Sequence, residues 1–384
     1  MIQRLLTILP DNSFLLFGAR GTGKTSFLQQ HFKDRQALWI DLLDPLQEER
    51  FLRSPNDLWQ ILESKHRPAW VVIDEVQKVP SLLNVVHRSI ESHGVQFALT
   101  GSSARKLKRG SANLLAGRAF VYNMFPFTHR ELGNLFNLSH ALQWGTLPGL
   151  QRHATDEHRK QFLQSYGLSY LKEEIWAEHL IRQLDPFRRF LEVAAQCGGE
   201  IINYNNIAKD VGVDHKTVQA YFSILEDTLV GFHLPSYHAS VRKQQLKNSK
   251  FFFFDIGVQR ALAHALVGDV RPGTSDYGKY FEQWVIQETY RLNEYQKKDY
   301  HLSYICTAQG SEIDLVIERP GMPLALVEIK SKTRVDERDV KTLESYLDEF
   351  KNAEAYCFSQ DPYTKKIGRV TALPWEKGLV EIGL

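Results

Sequence analysis

The sequence predicts an α/β chain in three parts, on three observations. Over the first 130 residues, short apolar runs alternate with helix-like segments, the rhythm of a parallel sheet covered by helices on both faces. Residues 186–240 then run helix, helix, turn, helix, strand. From about residue 251 strands and helices mix again in a second, smaller α/β unit.

The elements follow in order. Strands are expected at Phe14–Phe17, Ala37–Leu42, Trp70–Glu75, Gln96–Gly101 and Ala119–Asn123. Between them lie helical segments at Thr25–Phe32, Asn56–Ser64 and Ser81–Ser92, with Ser81 placed to cap the last of these. Residues 131–185 read as a helical connector, punctuated by the loop Gly145–Gly149 and holding a long helix from about Glu157 to His179. Residues 186–245 offer helices at Phe187–Gln196, Asn206–Val211 and His215–Glu226 and a strand at Val230–Leu234, the order of a winged helix. The segment 241–250 carries Arg242, Lys243, Lys247 and Lys250 without an acid and reads as an exposed loop. In residues 246–384, helices are expected at Gly278–Asn293 and Asp336–Phe350. Strands are expected there at Leu302–Cys306, Glu312–Ile317 and Leu324–Ile329, with a last strand at Ala355–Phe358.

Composition sets bounds. The 384 residues, 43% of them apolar, supply more than one core. With 47 basic and 45 acidic residues the net charge is +2, so any nucleic-acid surface has to be a local patch. Cys197, Cys306 and Cys357 are scattered, without metal-type spacing, and fit buried thiols in a reducing compartment. No charged-then-apolar leader opens the chain and no apolar run reaches the ~18 residues of a membrane span, so the expectation is a cytosolic protein.

Gly18-Ala-Arg-Gly-Thr-Gly-Lys24-Thr25 fits G-x-x-x-x-G-K-[ST] between an apolar strand and a helix. Glycines there let backbone N–H groups converge on phosphate oxygens, and the helix offers its positive end to the anion. Gly18, Arg20, Gly21, Thr22, Gly23, Lys24, Thr25 and Ser26 are the expected ATP-binding residues. Lys24 reaches the β- and γ-phosphates, and the Thr25 hydroxyl ligates Mg²⁺. Trp70–Glu75 supplies the acids: Asp74 for Mg²⁺ and Glu75 to orient or deprotonate the attacking water. Thr100, ending the next strand, reads either as a γ-phosphate sensor or as a local cap. Residues 101–118 carry Arg105, Lys106, Lys108, Arg109 and Arg118 without an acid, which reads either as a solvated loop or as the source of an arginine finger.

These residues resemble the AAA-type and STAND-type P-loop ATPases of bacteria and archaea. One subgroup carries an arginine in the phosphate loop, here Arg20, with hhhhDE-x-Q at Asp74, Glu75 and Gln77 and TGSSA at Thr100–Ala104. It also carries LAGR at Leu115–Arg118 and P-F-[ST]-x-x-E-L at Pro126–Leu132. The resemblance extends over nearly the whole chain, with Gly145–Gly149 similar to a G-G-x-P segment and Lys250–Gly257 similar to K-x-Y-F-x-D-x-G. Ala19 replaces the usual proline, and Thr146-Leu147 replace Gly-Tyr. The resemblance implies a P-loop NTPase domain over residues 1–130 that binds and hydrolyses ATP.

Two further constellations stand downstream. The segment His215–Glu226 puts Val218, Phe222 and Leu225 on one face and His215, Lys216 and Gln219 on the other, as a DNA-reading helix or as a protein contact. Asp314 and the pair Glu328-Ile-Lys330 sit in apolar strands of period two, where charges are costly unless used. Two carboxylates can bind Mg²⁺, and the lysine can stabilise a phosphorane-like charge. This arrangement resembles the PD-(D/E)xK restriction-endonuclease-like proteins, with Glu282 as the extra helix acid and Glu312 as a weaker candidate. The sequence therefore leaves two functions open. One is an ATPase whose nucleotide state controls DNA engagement or Mg²⁺-dependent cleavage. The other is a nucleotide-switched, homo-oligomerising interaction protein with an inert C-terminal domain.

Overall fold

The computed structural model describes residues 2–64, 68–102, 115, 117–167, 184–238, 248–306, 311–350 and 352–384. The chain forms two compact units. One holds Met1–Phe127 with Leu147–Gly149 and Ile224–Val230; the other holds Thr128–Thr146, Leu150–Ser223 and Gly231–Leu384.

The first unit is built on five parallel strands in the order β2-β3-β4-β1-β5. These are β1 Ser13–Phe17, β2 Ala37–Asp41, β3 Trp70–Asp74, β4 Gln96–Gly101 and β5 Ala119–Asn123. β1 and β3 are buried at every position, which is why they read as continuous apolar runs rather than alternating ones. Helices α1 Lys24–His31, α2 Pro45–Arg53, α3 Asn56–Leu62 and α4 Leu82–His93 connect them. Two local details depart from expectation. Ser81 stands before α4 in helical conformation and its side chain makes no capping bond. α2 was not foreseen; the signal was Asp44-Pro45, since Asp44 caps the Leu46 N–H and Pro45 begins the helix. Strand order has one consequence for the site: β4 lies between β1 and β3, so its last residues come up between the phosphate loop and the acids.

In the second unit the long helix expected at 157–179 is described from Asp156 to Ser165; residues 168–183 lie outside the described part. Helices Leu184–Gln196, Tyr204–Val211 and His215–Asp227 precede β6 Gly231–Leu234. β6 pairs antiparallel with β7 Lys250–Phe253, and Ile201 bridges to Lys250. β7 thus completes a hairpin with the helical segment, and Lys250 is buried rather than part of an exposed loop. Arg242, Lys243 and Lys247 lie outside the described residues.

The C-terminal sheet has six strands in the order β12-β13-β11-β10-β9-β8. They are β8 His301–Cys306, β9 Glu312–Glu318, β10 Leu324–Lys330, β11 Ala353–Ser359, β12 Lys365–Ile367 and β13 Val370–Pro374. β11, expected to be last, is followed by two strands and the helix Trp375–Glu381. The helix Ser275–Gln296 packs its apolar side against this sheet through Phe281, Trp284 and Val285, all buried in one core with Leu315, Val327 and Phe358. Two distant sequence segments lock together beside it. The Asp255 carboxylate accepts the Thr146 N–H (2.8 Å) and the Val258 N–H (3.1 Å). A Cβ on Gly257 would stand 1.9 Å from the Trp144 carbonyl oxygen, so only glycine fits there.

Candidate functional site

Two clusters of polar side chains stand apart from the cores. The first is at the C-terminal edge of the parallel sheet. The chain leaves β1 through a loop in which Gly21 and Gly23 take left-handed backbone conformations, φ 75° and 95°. Gly18 is fixed by space instead: a Cβ would lie 2.4 Å from the Met124 carbonyl oxygen, where the chain leaves β5. The Thr22 hydroxyl closes the loop on the Ala19 carbonyl (2.7 Å). Lys24 is buried and its ammonium donates to the Gly18 carbonyl (2.7 Å) and the Ala19 carbonyl (3.4 Å). Arg20, Thr25 and Ser26 are exposed at the mouth. The Pro148 ring lies 3.8 Å from the position a Cβ on Gly23 would take.

The acids complete this cluster. The Thr25 hydroxyl donates to Asp74 Oδ2 (2.7 Å), and the Thr100 hydroxyl donates to Asp74 Oδ1. The Thr100 oxygen also accepts the Glu75 N–H (3.0 Å). Thr100 therefore holds the two acids in place. Its side chain is fully buried and engaged with Asp74 and Glu75. Glu75 sits at φ 58°, uncommon for a residue with a Cβ, in the strained backbone often found at functional positions. Gln77 donates to the Glu75 carboxylate and to the Ser102 hydroxyl (3.0 Å), and so fixes where Glu75 points. That positioning role was not read from the sequence; the signal was Gln77 two residues after Glu75. Thr25 and Asp74 together offer hard oxygen donors, the set Mg²⁺ takes. Arg118 pairs with Glu91 on α4, and Arg105, Lys106, Lys108 and Arg109 lie outside the described residues.

The second cluster lies in the second unit. β9 and β10 are antiparallel, with Leu315 opposite Val327, so the next step of the register sets Asp314 against Glu328. Asp314 Oδ2 accepts the Ile329 N–H (2.7 Å), and Lys330 donates to Glu328 Oε1. Glu282 comes from the helix Ser275–Gln296, and Glu312 begins β9. The structure adds a member that the sequence reading placed elsewhere: the Lys250 ammonium donates to Glu282 Oε1 (3.2 Å) and pairs with Glu312. Glu282, Glu312, Asp314, Lys250 and Lys330 line a cavity of about 710 Å³.

Burial dominates the electrostatics here. It pushes the Glu328 carboxyl up to about 8, helped by the neighbouring Asp314 charge and opposed by Lys330. It pushes Glu282 up to about 7, again with Asp314 adding and Lys250 opposing. Asp314 is raised for the same first reason. Glu328 Oε2 is buried without a hydrogen-bond partner among the described residues. The acids fit a cation by that orphaned oxygen and by their chemistry, yet no group of three or more His, Cys, Asp or Glu among the described residues is already arranged to hold a metal. Nor is any described helix long and apolar enough to cross a membrane.

Comparison with known proteins matches three stretches of the chain. Residues 11–133 match the model of an AAA domain. Residues 135–267 match a domain of unknown function (DUF8612), and residues 277–377 match another (DUF4143). An uncharacterized protein of Methanocaldococcus jannaschii is 21% identical over 373 residues, covering 90% of this chain and 81% of that protein. An uncharacterized protein of Haemophilus influenzae is 21% identical over 287 residues, covering 67% and 71%. Among solved structures, AMPPCP-bound DnaA from Aquifex aeolicus is 14% identical, with 56% of this chain and 81% of that one covered at a TM-score of 0.27. The DNA clamp loader delta protein of Bacillus subtilis is 14% identical, with 72% and 94% covered at 0.24. Residues 11–133 are thus similar to an AAA domain, and the hydrogen bond from Thr25 to Asp74 fits the phosphate-loop arrangement expected of one.

Proposed function

We propose, from the match of residues 11–133 to an AAA domain, that this chain binds and hydrolyses ATP and that its nucleotide state controls DNA engagement or Mg²⁺-dependent DNA cleavage at the C-terminal acidic cluster. One observation carries the first half: the Thr25 hydroxyl on Asp74, which joins the end of the phosphate loop to the end of β3. Lys24 bonds loop carbonyls and is placed to exchange them for phosphate oxygens, while the loop N–H groups and the start of α1 receive the rest of the anion. Thr25 and Asp74 would hold Mg²⁺, which neutralises developing phosphate charge when bound. Glu75, held by Gln77, orients the attacking water. Arg20 and Ser26 contribute from the loop mouth.

For the second half, the support is the helical segment and the acids. Helices Leu184–Gln196, Tyr204–Val211 and His215–Asp227 with strand β6 read as a winged helix in the 186–245 region, and β7, from the next segment, pairs with β6. Val218 and Phe222 are buried while His215, Lys216 and Gln219 are exposed, as a DNA-facing helix requires. Asp314 and Glu328 would hold the cleavage metal, with Glu282 beside them and Lys330 set to stabilise charge on a phosphodiester. The domain limits that go with this reading are 1–130, 131–185, 186–245 and 246–384.

Hydrolysis of ATP by wild type and Lys24→Ala tests the first half: measurable wild-type turnover that Lys24→Ala retains contradicts the site assignment. Plasmid nicking with Mg²⁺, wild type against Glu328→Ala and Lys330→Ala, tests the second; no cutting under any nucleotide condition rejects catalysis. A second reading is favoured by the Lys250 ammonium, which pairs with both Glu282 and Glu312 and so already neutralises part of the acidic cluster. In it the C-terminal part is an inert scaffold and oligomerisation is the output. Light scattering with ATP analogues decides it, since a mass unchanged by nucleotide counts against this reading.

A further inference from the structure

Lys250 reaches the acidic cluster from outside the sheet that carries it. Its backbone pairs with Leu234 in the β6–β7 hairpin and bridges to Ile201, so the helical segment sets where the ammonium stands. The side chain is 5% exposed. Its nitrogen donates to Glu282, ion-pairs with Glu312 and lies 5.4 Å from the centre of the Tyr304 ring. The two carboxylates hold the ammonium in place. Opposite Asp314 in the β9–β10 register, Glu328 Oε2 is buried with no partner among the described residues, an acceptor left for a ligand.

We infer that the Lys250 ammonium is a built-in competitor for the divalent cation of this cluster. It occupies Glu282 and Glu312, and a metal ion gains those two carboxylates only when Lys250 withdraws. The physics is that of two positive charges seeking the same oxygens: carboxylate lone pairs engaged by an ammonium are not available to a metal, and the two cations repel at short range in a buried site. Asp314 and the orphaned oxygen of Glu328 alone make a weak cation site. Adding Glu282 and Glu312 makes a strong one, because affinity for hard cations grows with the number of charged oxygen ligands. Lys250 is thereby a positioning residue that sets metal affinity. This inference rests on reading the cluster as a cation site.

The test is Mn²⁺ alone, titrated into the nucleotide-free full chain, with free ion counted by its paramagnetic resonance. Binding that Asp314→Asn abolishes is assigned to this cluster. Lys250→Met and Lys250→Gln are each checked for folding by circular dichroism, so that one well-folded variant suffices. They are expected to bind Mn²⁺ ~10- to 100-fold more tightly than wild type, the range set by one or two charge-assisted bonds. Lys250→Arg keeps the charge and is expected to keep the weak wild-type affinity. Equal or weaker binding by the neutral variants, with Asp314-dependent binding intact in wild type, overturns the inference and leaves the cation-site reading standing. Tight binding by Lys250→Arg overturns it too, since packing rather than charge would then be responsible. Absence of Asp314-dependent binding in every protein removes the cation site itself, and the inference with it.

Discussion

Thr100→Val isolates the bond that ties the two acids of the nucleotide site together. The substitution keeps the volume of a fully buried side chain and removes its hydroxyl. Two bonds go with it: the one donated to Asp74 and the one accepted from the Glu75 N–H at 3.0 Å. A hydrogen bond to a charged group contributes roughly 1.5–3 kcal/mol, and leaving the part-buried Glu75 N–H unpaired costs at most the roughly 1–3 kcal/mol of a buried one. Asp74 keeps its donor from Thr25, so the lower part of the combined range applies, about 3 kcal/mol. For a unit of this size that corresponds to a fall of about 10 °C in the transition temperature. Differential scanning calorimetry of nucleotide-free protein measures it in the transition that ATP analogues raise. Thr100→Ser restores the hydroxyl and is expected to recover most of the loss, less the ~1 kcal/mol of a missing methyl. On the proposed ATPase reading, an unanchored Asp74 is expected to lower kcat more than it raises KM. A Thr100→Val transition within about 2 °C of wild type refutes the reasoning. So does a serine variant no better than valine, because the hydroxyl would then carry no weight.

Other outcomes follow from other sites. Gly257→Ala is expected to cost more than about 3 kcal/mol, because its Cβ would sit 1.9 Å from a backbone carbonyl oxygen. Gly268→Ala, which meets nothing within 4 Å, is the neutral comparison, and urea unfolding of both checks the pair. Gln77→Ala releases the Glu75 carboxylate while leaving the phosphate loop intact, so ATP hydrolysis is expected to fall about tenfold with ATP binding preserved. Fluorescent-nucleotide binding beside a turnover assay separates the two, and loss of both would contradict the assignment. Glu328 gives a pH dependence. Its carboxyl is raised from 4.5 to about 8, so between those values the folded chain holds a proton the unfolded chain has released. Stability from this group is therefore present at pH 4.5 and is lost as pH rises towards 8. Glu328→Gln removes that loss, and melting curves from pH 5 to 9 are expected to show the variant gaining on wild type as pH rises; a constant difference speaks against a buried, proton-holding Glu328.

The two clusters differ in how openly the sequence displays them. The nucleotide site is made of short contiguous pieces: eight residues from Gly18 to Thr25, then Asp74 and Glu75 at the end of one strand. Phosphate recognition by backbone N–H groups needs a fixed local geometry, and a fixed local geometry needs particular residues at particular spacings. What stayed hidden is how the pieces hold each other. Thr100 reads as a sensor or a cap from sequence and proves to be a brace on Asp74 and Glu75, because β4 lies between β1 and β3. The acidic cluster is more dispersed. Glu328 and Lys330 show themselves by period two, and Asp314 by its place in an apolar strand. Lys250 was hidden because the segment before it is basic and polar and looks like a solvated loop.

Sequence alone determined the α/β class, the five strands of the first unit, the glycine-rich loop after β1, the two acids at the end of β3, and most helices of the second unit. These depend on hydrophobic period and on turn and loop chemistry, which act over a few residues at a time. Tertiary structure alone decided the order of the strands, the pairing of β7 with β6, the seat of Asp255 against Thr146 and the capture of Lys250 by Glu282 and Glu312. Each of these joins groups far apart in the chain. Their partners are fixed by which surfaces the packed cores bring together and by the cost of leaving a buried charge alone, and neither is written in any local stretch of residues.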